Sequence, residues 1–125
     1  MLASIAGLAL LPAGARAQAK PACTMLAADG GIARVHVELS ASEPEKAYCI
    51  SVQKGQSLRA AISNPQGVEP AGRVISPAGK MDGGPGGPFY RGVTSESGIY
   101  KVVVGQRGRR RAGSYDLTIE IAPPS

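Results

Sequence analysis

Four arginines, Arg107, Arg109, Arg110 and Arg111, fall within five positions of each other in a chain that has 14 Lys and Arg residues in all. A planar guanidinium donates two parallel hydrogen bonds to a carboxylate or a phosphate, so a cluster of this kind suits an acidic partner. Four like charges on one turn repel each other, and leaving them unpaired gains nothing for the fold. The competing explanation is a solvated loop that aids solubility or rests on an anionic polysaccharide or lipid surface. Nucleic acid ranks lower, because no aromatic residue interleaves the arginines.

The remaining chemistry-bearing residues point away from catalysis. His36 is the single histidine, and Arg34 and Glu38 share its face of an alternating stretch, which predicts a solvent-facing ring. No Gly-x-Ser-x-Gly elbow presents a nucleophile to it. Glu43 and Glu45 flank Pro44 on a turn, where a glycosidase acid/base pair would lack support. One histidine, two cysteines and no dense Asp/Asn run argue against a metal. In Gly83–Pro88 the prolines remove N–H donors and no Gly-Lys-Ser/Thr follows, so this is no phosphate loop; its glycines predict a mobile segment. No catalytic residue, cofactor or metal is expected.

The elements that must position the arginines read as strands. Tyr100, Val102 and Val104 alternate along 98–104, and Tyr115, Leu117, Ile119 and Ile121 alternate along 114–121. With the loop 105–113 between them, the pair is expected to form a half-buried hairpin with a cationic tip. Further strands are expected at 32–40, 46–53, 57–63, 72–76 and 89–94, with turns at 41–45 and 54–56 and a loop at 64–70. High Gly (17) and Pro (10) counts and no helical period after residue 20 fit short strands joined by turns. The expected fold is all-β, a small antiparallel β-sandwich or jelly roll of seven or eight strands.

At 125 residues the chain makes one domain. Residues 1–17 read as an export signal: Leu2–Leu11 is an apolar run too short to span a membrane, and Ala15-Arg16-Ala17 offers a small-x-small cleavage site. Residues 18–31 form a polar lead-in, and 32–125 the sandwich. Cys23 and Cys49 are an even pair in an exported chain and lack Cys-x-x-Cys spacing, which predicts a structural disulfide.

The series Lys54-Gly55-Gln56-Ser57-Leu58, Ser76-Pro77-Ala78-Gly79-Lys80, Gly98–Val104 and Gly113-Ser114-Tyr115-Asp116-Leu117 resembles, in order and spacing, the bacterial pre-peptidase C-terminal (PPC) domain over residues 46–121. That resemblance implies a jelly-roll-like sandwich, usually appended to secreted hydrolases. Ser97-Gly98-Ile99-Tyr100 also looks like the Ser-Gly-x-Tyr motif of periplasmic i-type lysozyme inhibitors. The basic segment before Gly113-Ser114-Tyr115 is similar to that of g-type lysozyme inhibitors. The resemblance implies a non-catalytic periplasmic or secreted inhibitor of lysozyme, and the residues themselves add the expectation that the arginines bind the partner with Ser97 and Tyr100 beside them, in a monomer or weak dimer. Tyr100 has a second reading as core, and Ser97-Gly98 as a simple turn. The alternative function is an accessory module holding polysaccharide or protein substrate for another secreted enzyme.

Overall fold

The computed structural model describes residues 23–82 and 89–124. The expected signal segment 1–17, the first part of the lead-in and the Gly/Pro stretch 83–88 lie outside the described residues. Nine strands follow in order: β1 (Thr24–Met25), β2 (Ile32–Leu39), β3 (Lys46–Val52), β4 (Ser57–Gln66), β5 (Pro70–Ile75), β6 (Met81–Asp82), β7 (Tyr90–Val93), β8 (Gly98–Gln106) and β9 (Gly113–Ala122). No helix is present among the described residues, and the two strands beyond the expected seven are two-residue pieces, β1 and β6.

The strands form two sheets, one in the order β1-β3-β8-β5-β6 and the other β2-β9-β4-β7. All pairings are antiparallel except β1 with β3, which run parallel. The period-2 patterns bring one apolar face of each sheet against the other. Tyr48, Ile50 and Val52 of β3, Val74 of β5 and Tyr100, Val102 and Val104 of β8 meet Val37 of β2, Leu58 and Ala60 of β4 and Tyr115, Leu117 and Ile119 of β9 in one core cluster. Phe89, just before β7, closes against Gly72 of β5.

Two expectations need correction here. β4 extends to Gln66 with a register shift between Ser63 and Gln66, so the expected loop at 64–70 shrinks to 67–69. Asn64 sits in that irregular stretch at φ 54°, the left-handed region that asparagine tolerates better than most residues. The larger correction concerns β8 and β9. They are not a hairpin: β8 lies between β3 and β5 in one sheet, β9 between β2 and β4 in the other. Each strand buries an apolar face and has both backbone edges paired, so the two pack face to face through the core. The arginine segment is thus an arch that crosses from sheet to sheet.

Cys23 and Cys49 form the expected disulfide, with Cα atoms 5.6 Å apart. Cys49 points to the outer face of β3, yet it is buried beneath the lead-in that the disulfide and the β1 pairing hold against the sheet. The backbone N–H of Leu26 donates to the Cys49 carbonyl at 2.8 Å, which extends the same attachment. The crosslinked residues lie 26 apart, and closing a loop of that size removes roughly 3–4 kcal/mol of chain entropy from the unfolded state. A Cys23→Ala/Cys49→Ala double variant is therefore expected to lose a few kcal/mol in urea unfolding while keeping its strand circular dichroism. An unchanged unfolding midpoint would contradict that role.

Candidate functional site

The arch begins where β8 ends. Tyr115 of β9 is fully buried, and its hydroxyl donates to the carbonyl of Gly105 in β8 at 2.6 Å. This bond joins the two sheets one residue before the last position of β8. Burial, with Tyr48 and Glu45 adding to it, pushes the Tyr115 phenol well above its ordinary pKa, so it stays a donor. The next residue, Gln106, ties the far side of the arch. Its Nε2 donates to the Arg111 carbonyl at 2.9 Å and its Oε1 accepts the Arg111 N–H at 3.0 Å. One side-chain amide thus replaces a pair of ladder hydrogen bonds across the loop.

The β4–β5 connection supports the arch from behind. Arg107 N–H donates to the Glu69 carbonyl at 2.9 Å, and the Arg107 guanidinium lies 3.7 Å from the Glu69 carboxylate. Gly113 is required by this contact: a Cβ there would come within 2.4 Å of Val68 Cγ1 and 2.5 Å of the Gln66 carbonyl oxygen. Gly108 turns the loop at φ 74°, a conformation that costs other residues.

On this frame the four arginines divide. Arg107 is half engaged by Glu69, in an exposed pair of small energetic weight. Arg109, Arg110 and Arg111 are exposed, and among the described residues none of them has an ion pair. Arg110 and Gly108 line one wall of a cleft of about 460 Å³, whose other wall is Ser42–Glu45. The acids of that wall are already engaged, Glu43 with Lys46 at 3.6 Å and Glu45 with Arg73 at 3.3 Å. The three guanidinium groups keep their capacity for an outside acid.

Ser97 and Tyr100 do not join them. Ser97 precedes β8 and Tyr100 is near its start, whereas the arginines follow its end, and the nine residues of the strand rise about 30 Å. Tyr100 is 3% exposed and its hydroxyl donates to the Glu96 carbonyl at 3.4 Å, so it packs as core. Ser97 accepts the Lys54 N–H on Oγ at 2.7 Å and fastens the 94–98 turn to the 53–56 turn. Thr94 secures the same junction, donating from its buried hydroxyl to the Gln53 carbonyl at 2.8 Å.

His36 is exposed, as its neighbours implied, but it is not alone. Its Nδ1 lies 2.8 Å from Asp116 Oδ1, and Asn64 Nδ2 donates to Asp116 Oδ2 at 2.9 Å. These two hydrogen bonds, the one from Asn64 first, hold the Asp116 carboxyl below its ordinary value. The trio joins β2, β9 and β4 on the outer face of their sheet. No group of three His, Cys, Asp or Glu side chains among the described residues is placed to hold a metal.

No family model matches the chain, the PPC domain included, and no curated protein matches it. Among solved structures, the chain is similar to PliG of Aeromonas hydrophila, a periplasmic lysozyme inhibitor of g-type lysozyme, with TM-score 0.67 and 17% identity over 79% of this chain and 95% of that one. It is similar to PliG of Salmonella Typhimurium, with TM-score 0.65 and 18% identity over 82% and 99% of the two chains. A PliG mutant from Escherichia coli gives TM-score 0.57 and 19% identity over 78% and 96%. The chain therefore has the sandwich fold of these inhibitors across nearly their whole length.

Sequence reasoning singled out the arginines but missed what holds their segment: Tyr115, Gln106, Glu69 and the Val68–Gly113 contact. Replacing Tyr115 with Phe leaves the Gly105 carbonyl without its buried donor and is expected to cost about 1–3 kcal/mol in denaturant unfolding. Faster hydrogen exchange across 107–112 should accompany it, and unaltered exchange there would show that the arch is held by other contacts. For Asp116 the folded-state pKa lies below the unfolded value. Its contribution is thus complete above the ordinary value of 3.8 and is lost as pH falls through the depressed one. Asp116→Asn should make the acid side of the stability profile shallower, and an identical slope in both proteins would refute the linkage.

Proposed function

We propose that this protein is an exported, non-catalytic inhibitor of a g-type lysozyme that docks Arg109, Arg110 and Arg111 on acidic groups of the enzyme. The observation that carries the reading is the state of those side chains: three exposed guanidinium groups without an internal acid, on an arch braced at both ends. Glycosidase clefts present two carboxyl groups flanking the scissile bond, one a protonated acid and the other an ionised carboxylate, and an inserted guanidinium can pair with the carboxylate bidentately and exclude the sugar. The fold is that of three proteins described as periplasmic inhibitors of g-type lysozyme. The disulfide agrees with an oxidising compartment outside the cytoplasm, periplasmic or secreted. Ser97 and Tyr100 fall outside this docking surface and serve the opposite end of the sandwich.

The test is inhibition of g-type lysozyme, with c- and i-type enzymes in parallel, by purified wild type and by Arg109→Ala, Arg110→Ala and Arg111→Ala. At least one substitution should weaken inhibition by about tenfold to a hundredfold, the loss of one charge-assisted pair in an interface. Added salt should weaken the wild type more than the variants. Melting temperatures should hardly move, because these exposed side chains make no ion pair or hydrogen bond within the protein. Equal inhibition by all three variants would remove the arch as the site. Binding to an anionic polysaccharide with no inhibition of any lysozyme would replace the reading with that of an accessory module.

A further inference from the structure

The longest free edge among the described residues is β2. The other edge strands, β1, β6 and β7, have two, two and four residues, whereas β2 has eight, with β9 on one side and, beyond the single bridge from Ile32 to Asp29, no strand on the other. Short edges are a common protection against unwanted pairing, and β2 lacks it.

The backbone of β2 can be assigned position by position. Ile121 N–H donates to the Gly31 carbonyl at 2.7 Å, and the register continues unbroken from Ile32↔Glu120 to Leu39↔Gly113. Hydrogen-bonded and non-bonded positions alternate in an antiparallel pair. Gly31 is of the first kind, so Ala33, Val35, Val37 and Leu39 turn their N–H and C=O groups toward β9. Arg34, His36 and Glu38 turn theirs to the open edge. Their side chains lie on the outer face and carry a sequence of charge, positive then titratable then negative, that is complementary to its own reverse.

We infer that β2 pairs with β2 of a second copy of this chain, antiparallel about a two-fold axis at His36. This register sets Arg34 opposite Glu38 twice and makes three hydrogen-bonded pairs, each with two backbone bonds, from the groups left open. An axis at Val35 instead sets Arg34 against His36 and Glu38 against Ile32. An axis at Val37 sets Arg34 against Ser40 and Glu38 against His36. Only the His36 axis gives each arginine an opposite charge. On the inner face it places Val35 against Val37 and Ala33 against Leu39, which covers the half-buried Val35 and joins two four-stranded sheets into one of eight. Edge pairing of this kind buries a modest area, so the dimer is weak. Because Leu39 adjoins Gly113, the two arginine arches sit at opposite ends of the joined sheet and stay open.

Sedimentation equilibrium over a wide concentration series tests the pairing independently of any inhibition assay. The wild type is expected to rise toward twice the monomer mass. Arg34→Glu and Glu38→Arg, each confirmed as folded by circular dichroism, should each weaken association by about tenfold or more, since like charges then face each other twice. An equimolar mixture of the two variants should regain it, because each reversed charge meets its opposite. A wild type that stays monomeric throughout, single variants that associate like wild type, or a mixture no more associated than its parts would each overturn the inference.

Discussion

One buried hydrogen bond, from the Tyr115 hydroxyl to the Gly105 carbonyl, sets the geometry at the end of the molecule that carries the arginines. Two packed sheets are held chiefly by apolar contact, which is strong but does not fix how a connecting segment leaves one sheet and enters the other. A phenol that reaches across the core and donates to backbone supplies that direction. It anchors β8 just before the chain departs and β9 just after it returns. A buried carbonyl without a donor is costly, so the bond resists loosening of the arch. The Gln106 amide then spans the remaining gap, and the loop between carries its charge on a short, closed frame.

That frame explains why unpaired charge is tolerable there. Elsewhere three cations of the described residues have a local acid, Lys46 with Glu43, Arg59 with Glu120 and Arg73 with Glu45, while Arg34, Lys54, Lys80, Arg91 and Lys101 have no ion pair. The arch gives Arg107 such a partner and leaves the next three arginines exposed without one. Like charges spaced one residue apart disfavour compact loop conformations, and the backbone bonds at both ends offset that repulsion. On the proposed function, pairing with an outside carboxylate would cost little ordering, since the backbone is already held and only side chains need to be fixed.

Alternation made the strands and their buried faces legible from residue order alone. Tyr100, Val102 and Val104, and Tyr115, Leu117 and Ile119, are inward where the period-2 pattern places them. The disulfide was legible from cysteine count and context. The partner of each strand was not. A short polar segment between two alternating strands has one pattern, whether they lie side by side or face each other across a core. What separates the two cases is the rest of the sheet: β3 and β5 occupy both edges of β8, and these contacts are remote in sequence. The same ignorance of neighbours placed Ser97 beside the arginines, although β8 runs between them. Only Gly113 carried a local sign of the support behind the arch, and its reason, the approach of Val68, lies outside any local pattern.

The two sheets also differ in how they close their borders, and this separates the two surfaces of the molecule. The sheet that contains β8 ends in two-residue strands, one of them tied down beside the disulfide. The sheet that contains β9 ends in β2, whose edge stays open from Arg34 to Glu38 and whose outer face carries the His36–Asp116–Asn64 trio. Those bonds tie His36 to β9 and β4, and its Nε2 lies 3.7 Å from the Glu38 carboxylate. The charges left nearest the edge, Arg34 and Glu38, have opposite sign. A border guarded by one sign of charge repels a second copy, whereas one that alternates in sign accepts its own reverse. The arginines at the arch share one sign and repel their own kind. Self-association through that end is therefore disfavoured, and any pairing between copies is directed to β2.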